Sequence, residues 1–141
     1  MGNKRDITKI SQIIIHCTAT LPTATVDSIK KYWKEVLEWQ FYGYHFLIDK
    51  DGVITNLVPV DEISNGASGY NYISIHISYI GGVLSDGKTP SDTRTDKQKA
   101  ALKSIVKELR AKYPQIKTVL GHRDLPGVRK ACPSFDTSLE F

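Results

Sequence analysis

Two stretches of helical period alternate with short runs of β-branched residues, and this alternation constrains the fold more than any other feature of the chain. Residues 13–16 (Ile-Ile-Ile-His) read as a buried strand. Ile29, Tyr32, Trp33, Val36 and Leu37 then share one helical face, with Lys30, Lys31, Lys34, Glu35 and Glu38 largely opposite. Thr25 or Asp27 can cap that helix. Residues 44–49 and 53–57 flank Lys50-Asp51-Gly52 as a hairpin would, since Asp-Gly tolerates the positive φ of a tight turn. In residues 73–81, Ile73, Ile75, Ile77 and Tyr79 alternate with Ser74, His76, Ser78 and Ile80, the period of a strand. The polar stretch 85–94 reads as the mobile loop of the chain. A second helix follows from Thr95 or Asp96, with its stripe at Leu102, Ile105, Val106 and Leu109 and its stop at Pro114. Residues 116–120 form a further strand. The order predicts an α/β sandwich in which helices flank a central mixed β-sheet, the hairpin supplying the antiparallel pairs.

A chain of 141 residues suits one domain, predicted to run over 1–141 with its core at about 11–137. At 40% apolar and 24% charged it is neither disordered nor coiled-coil in composition. The net charge of +4 is too small and too dispersed to predict nucleic-acid binding. No apolar run exceeds three residues, which excludes insertion in a membrane as a helix. Residues 1–9 are basic with no apolar core behind them, which predicts synthesis in the cytoplasm without a signal peptide. Action outside the cell would then need another means of release.

Three residues carry metal chemistry. His16 ends a buried strand, His122 follows another after one glycine, and Cys132 lies ten residues on, in a loop shaped by Pro126, Gly127 and Pro133. Two imidazoles and a thiolate suit zinc and leave a fourth position open, the mark of a catalytic rather than a structural site. The same spacing also fits two loop histidines and a buried thiol, because no HExxH-type pattern is present.

Four separated motifs in order favour the metal. Residues 13–20 (IIIHCTAT), 43–49 (GYHFLID), 121–124 (GHRD) and 130–136 (KACPSFD) together resemble the type-2 N-acetylmuramoyl-L-alanine amidases. Within that family the pattern is similar to the T-odd coliphage lysozyme branch, whose members are amidases, and the peptidoglycan-recognition proteins share the fold. The resemblance implies one zinc ion per chain on His16, His122 and Cys132, a catalytic tyrosine at Tyr44 and a catalytic lysine at Lys130. It implies hydrolysis of the amide between N-acetylmuramic acid and L-alanine in peptidoglycan or soluble muropeptides, as a phage or prophage endolysin would perform on the wall after release. Lys130 and Cys132 are two apart, so an extended loop points both the same way, and a lysine beside a metal can bind an oxyanion. Tyr44 could position or deprotonate a water, or be a core aromatic on one face with Phe46 and Ile48.

The chain also departs from the family pattern. The loop from His122 to Cys132 has the length found in cytosolic muropeptide amidases, which place Asp at the cysteine position. Their catalytic glutamate is matched here by Ser78. A His-Ala pair common in relatives reads Gly66-Ala67, and His76 stands where glycine is usual. Cys17 is expected to face away from the metal as a small core residue, without a disulfide, and His45 to pack structurally opposite Tyr44. Asp124 and Asp136 could orient a metal ligand or cap a turn. Arg123 and Arg129 could meet carboxylates of a stem peptide. Two other functions fit the same motifs: a peptidoglycan-binding module without catalysis, and a regulator of a phage RNA polymerase.

Overall fold

The computed structural model describes residues 3–141, so Met1 and Gly2, at the start of the basic N-terminal segment, lie outside the described residues. Five strands and two α-helices follow in the order β1 (Gln12–Cys17), α1 (Val26–Glu35), β2 (Phe46–Ile48), β3 (Ile54–Asn56), β4 (Ser74–Tyr79), α2 (Asp96–Lys112) and β5 (Thr118–Gly121). The sheet order is β3-β2-β4-β1-β5. β1 runs parallel to both β4 and β5, and β2 runs parallel to β4. Among the pairs of described strands in this sheet, the hairpin pair β2–β3 alone is antiparallel. The sheet is mixed, as expected, and Gly52 at φ 80° closes the hairpin turn.

Strand parity divides the sheet into two faces. Ile13, Ile15 and Cys17 from β1, Ile75, Ile77 and Tyr79 from β4, and Ile48 from β2 pack with Leu102, Ile105, Val106 and Leu109 of α2. At roughly 1.5–3 kcal/mol per fully buried aliphatic side chain, this layer is the main source of stability. The opposite face takes Leu47 and Ile80 against Ile29 and Trp33 of α1. Ile14 packs there with Ala67 and Leu125. Every residue of β4 is buried, so the polar half of its alternation, Ser74, His76 and Ser78, faces protein rather than solvent.

Boundaries differ from expectation where local chemistry intervenes. β2 begins at Phe46, and Tyr44 precedes it in irregular chain, so the shared face with Phe46 and Ile48 is lost. The last strand is Thr118–Gly121, with Ile116 buried just before it. α1 ends at Glu35, and of its apolar stripe only Ile29 and Trp33 are buried, while Tyr32, Val36 and Leu37 are exposed. The stretch 85–94 is a hydrogen-bonded turn rather than a free excursion: Lys88 and Thr89 donate backbone N–H bonds to Asp86, and Val83 bridges to Pro90. It leads into Arg94, whose guanidinium is held by Asp92 and Glu140 and lies 3.4 Å above the Phe135 ring. The basic N-terminus supplies a second buried cation. Arg5 donates to the carbonyls of Val60, Asn71 and Ser74, and burial lowers its pKa to about 10. Among the described residues, no helix is long and apolar enough to cross a membrane.

Candidate active site

The parallel pairing of β1 with β5 brings two distant histidines together. His16 is the penultimate residue of β1, and His122 follows β5 directly, because Ile15 pairs with Gly121 in the register. Their rings lie 4.8 Å apart. The return loop then carries Cys132 over the end of β1, where the Cys17 backbone N–H donates to Cys132 Sγ at 3.1 Å. The candidate ligand atoms of His16, His122 and Cys132 all lie within 4.8 Å of one another. Ligand atoms around a tetrahedral zinc lie roughly 3.5 Å apart, so the three stand near that spacing. Two neutral nitrogens, one sulfur and a free approach from the cleft therefore fit a divalent ion of zinc's preferences.

The electrostatics favour ligation. Burial, reinforced by the charges of His122 and Lys130, holds the His16 pKa well below its ordinary value. Burial and Lys130 lower that of His122. Neutral imidazole is the ligand form, so both rings carry an available lone pair at neutral pH. The hydrogen bond shared with the Cys17 thiol, together with burial, raises the Cys132 thiol, and a bound cation reverses that preference.

The trio sits at the floor of a cleft of about 740 Å³. One wall is aromatic, from Tyr32, Trp33 and Trp39; Tyr44 and Lys130 line the same space. Tyr44 packs its ring 5.0 Å from that of His16 and 5.4 Å from that of Trp33, and its hydroxyl donates to the Cys17 carbonyl at 3.3 Å. Burial, then the nearby Cys132 and Cys17, raise its pKa strongly, so Tyr44 is a neutral phenol. Lys130 is exposed at the cleft edge and shares it with Cys132, as their spacing requires.

Of the other candidates, Cys17 lines the cleft, whereas Asp124, Asp136, Arg123, Arg129 and His45 do not. Asp124 accepts the Gly121 N–H at 2.8 Å and Asp136 accepts the Ser138 N–H at 3.0 Å, so both cap turns. Arg123 and Arg129 are exposed and do not line the cleft; the backbone N–H of Arg123 instead ties the return loop at Cys132 O. Cys17 faces the α2 layer as its parity demands, yet its thiol stays beside Cys132, because the return loop crosses the strand end on that side. No disulfide joins the two. His45 is structural: its Nε2 donates to Glu62 O and its Nδ1 accepts from the His76 N–H. The sequence reading passed over Trp39 and Asn71, whose only signals were an aromatic-rich segment and a polar loop. The structure places Trp39 in the cleft wall and Asn71 beneath His76.

Fold and site together define a class. A family profile for N-acetylmuramoyl-L-alanine amidase matches residues 6–135. The endolysin of Enterobacteria phage K11 is 34% identical over 127 residues, covering 89% of this chain and 82% of its own. Among solved structures, the endolysin N-acetylmuramoyl-L-alanine amidase LysCS from Clostridium intestinale superposes with a TM-score of 0.76 at 25% identity, over 93% of this chain and 80% of that one. A human peptidoglycan recognition protein, solved in complex with glycosamyl muramyl pentapeptide, shares the fold with a TM-score of 0.76 at 18% identity, over 99% of this chain and 86% of that one. The chain belongs to the type-2 N-acetylmuramoyl-L-alanine amidases, within the superfamily that includes the peptidoglycan-recognition proteins.

Proposed function

We propose that this amidase is zinc-dependent and cuts the amide between the lactyl group of N-acetylmuramic acid and L-alanine, lysing the wall as its phage relatives' endolysin names imply. The observation that carries the reading is the meeting of His16, His122 and Cys132 on the floor of a cleft that also holds Tyr44 and Lys130. When bound, zinc supplies a Lewis acid that polarises the amide carbonyl and acidifies water.

The chain's own side chains do the rest. His16, His122 and Cys132 would hold the ion. Lys130 presents a cation at the cleft edge, where it offsets the negative charge that develops on the carbonyl oxygen. Tyr44 spends its proton on the Cys17 carbonyl, which leaves its oxygen lone pairs to receive a hydrogen bond from water or substrate. Its raised pKa favours positioning over proton abstraction. Water's oxygen bonds to the carbonyl carbon, the carbon–nitrogen bond breaks, and water's proton ends on the released amine. The aromatic wall of Tyr32, Trp33 and Trp39 suits the apolar face of a sugar ring.

Digestion of purified peptidoglycan tests the bond. Free L-alanine amino groups should rise in step with loss of turbidity, without new reducing sugar ends. Reducing ends without amines would overturn the amidase assignment, and wall binding with neither product would show a recognition module.

A further inference from the structure

Beneath the ligand trio runs a line of hydrogen bonds whose directions follow from one end. The Ala67 backbone N–H can only donate, and it lies 2.8 Å from Asn71 Oδ1, so that atom is an acceptor. His76 Nε2 lies 2.8 Å from the same oxygen and must therefore carry a proton. Neutral imidazole has one donor and one acceptor nitrogen, which makes His76 Nδ1 the acceptor. Facing it at 2.8 Å is His16 Nε2, which must donate in turn. That order leaves Nδ1 of His16 without a proton. Both rings are buried, and no carboxylate stands in the line, so neither is charged.

We propose that His76 is a positioning residue for the metal centre, holding His16 as its Nε2–H tautomer so that Nδ1 is presented to the metal. The proposal rests on the zinc reading above and adds a residue outside the ligand set. A metal-bound histidine gains basicity and a fixed ring orientation from the partner of its other nitrogen. Here that partner is carried on rigid structure: His76 sits in the fully buried β4, opposite Ile14 of β1, and its backbone N–H is held by His45. Gly66 supplies the space for the ring. A Cβ at Gly66 would lie 2.4 Å from His76 Nδ1 and 2.5 Å from its Cγ, so any larger residue there displaces the imidazole. Gly66 and His76 thus form one unit, although ten residues separate them.

The test compares wild type with His76→Ala, His76→Gln and Gly66→Ala. Zinc affinity is measured by competition with a chelator of known affinity, and the ring tautomer of His16 by nitrogen NMR on the metal-free protein. Loss of an outer partner of this kind typically weakens metal binding about 10- to 100-fold, which is the loss expected for His76→Ala. His76→Gln should recover most of it, since its amide oxygen can accept from His16 while its NH2 donates to Asn71. Gly66→Ala should lose affinity without touching any ligand. Metal-free wild type should show His16 protonated at Nε2, and His76→Ala should show a mixture of tautomers. Wild-type affinity in both His76→Ala and Gly66→Ala, or a His16 protonated at Nδ1, overturns the proposal. Should His76→Ala fail to fold, the Gln and Gly66 variants decide by the same two readouts. A wild type that binds no zinc would instead overturn the metal reading, and the tautomer measurement would still decide the role of His76.

Discussion

At the scale of single residues, the proposed site separates three candidate metal ligands from one cation proposed to act on the substrate. His16, His122 and Cys132 lie close together, and Lys130 lines the same cleft, its charge lowering the pKa of both histidines. Lys130→Ala should therefore keep its fold and its zinc. It should lose on the order of a hundredfold in turnover, the cost of removing one oxyanion donor. Turnover assays alongside metal analysis check this, and unchanged turnover would leave Lys130 as a surface charge. His16→Ala should do the opposite and abolish stoichiometric zinc. These residues were legible as candidates because each lies in a short motif whose chemistry is local. The hydrogen-bonded line through His76 and Asn71 was not legible, because the direction of each bond depends on contacts between β1, β4 and the loop before them. Sequence parity placed His76 on the right face of β4 but could not name its partner. Tyr44 failed differently: its alternation with Phe46 and Ile48 assumed a strand that starts two residues later.

At the scale of elements, both helix starts and the buried face of α2 were legible, while the face of α1 was legible only in part. Thr25 and Thr95 both form complete capping boxes, with Ser28 and Gln98 respectively. The Thr95 hydroxyl also donates to Lys50 O at 2.7 Å, fastening α2 to the hairpin. Thr95→Ala should cost about 1–2 kcal/mol in chemical denaturation, the range for losing such a cap. Thr95→Ser should recover most of that, and an unchanged midpoint for Thr95→Ala would show the cap to be redundant. The stripe of α1 misled in an instructive way. Tyr32, Val36 and Leu37 keep core periodicity yet are exposed, Val36 beyond the helix as its C-cap, and Tyr32 and Leu37 line the cleft. Amphipathic spacing reports an apolar neighbour without saying whether it is the protein's own interior or a ligand. β4 shows the converse: its polar residues alternate with its apolar ones, yet both sets are buried.

At the scale of the molecule, buried histidines set the acid limit of stability. Burial lowers the His45 pKa to about 4, and drives those of His16 and His76 down as well. An unfolded histidine titrates near 6.5, so below that pH the unfolded chain binds more protons than the native one. The metal-free protein should hold its full stability above about pH 6.5 and lose it progressively as pH falls toward 4. The slope is up to about 1.4 kcal/mol per pH unit for each such histidine. Urea midpoints recorded across that range check the prediction, and a flat profile from pH 7 to 4.5 would contradict it.

The place of β1 in the sheet also bears on how the enzyme comes into being during synthesis. β1 is translated well before its two neighbours, β4 and β5, the latter about a hundred residues later. Such long-range parallel pairing closes late, because loop entropy is spent before any contact repays it. His16 therefore waits on the nascent chain until His122 and Cys132 have been translated, and a chain cut short before Cys132 lacks one of the proposed ligands. Translation interrupted before residue 132 thus yields fragments without the full set of proposed ligands, which under the zinc reading cannot cut the wall.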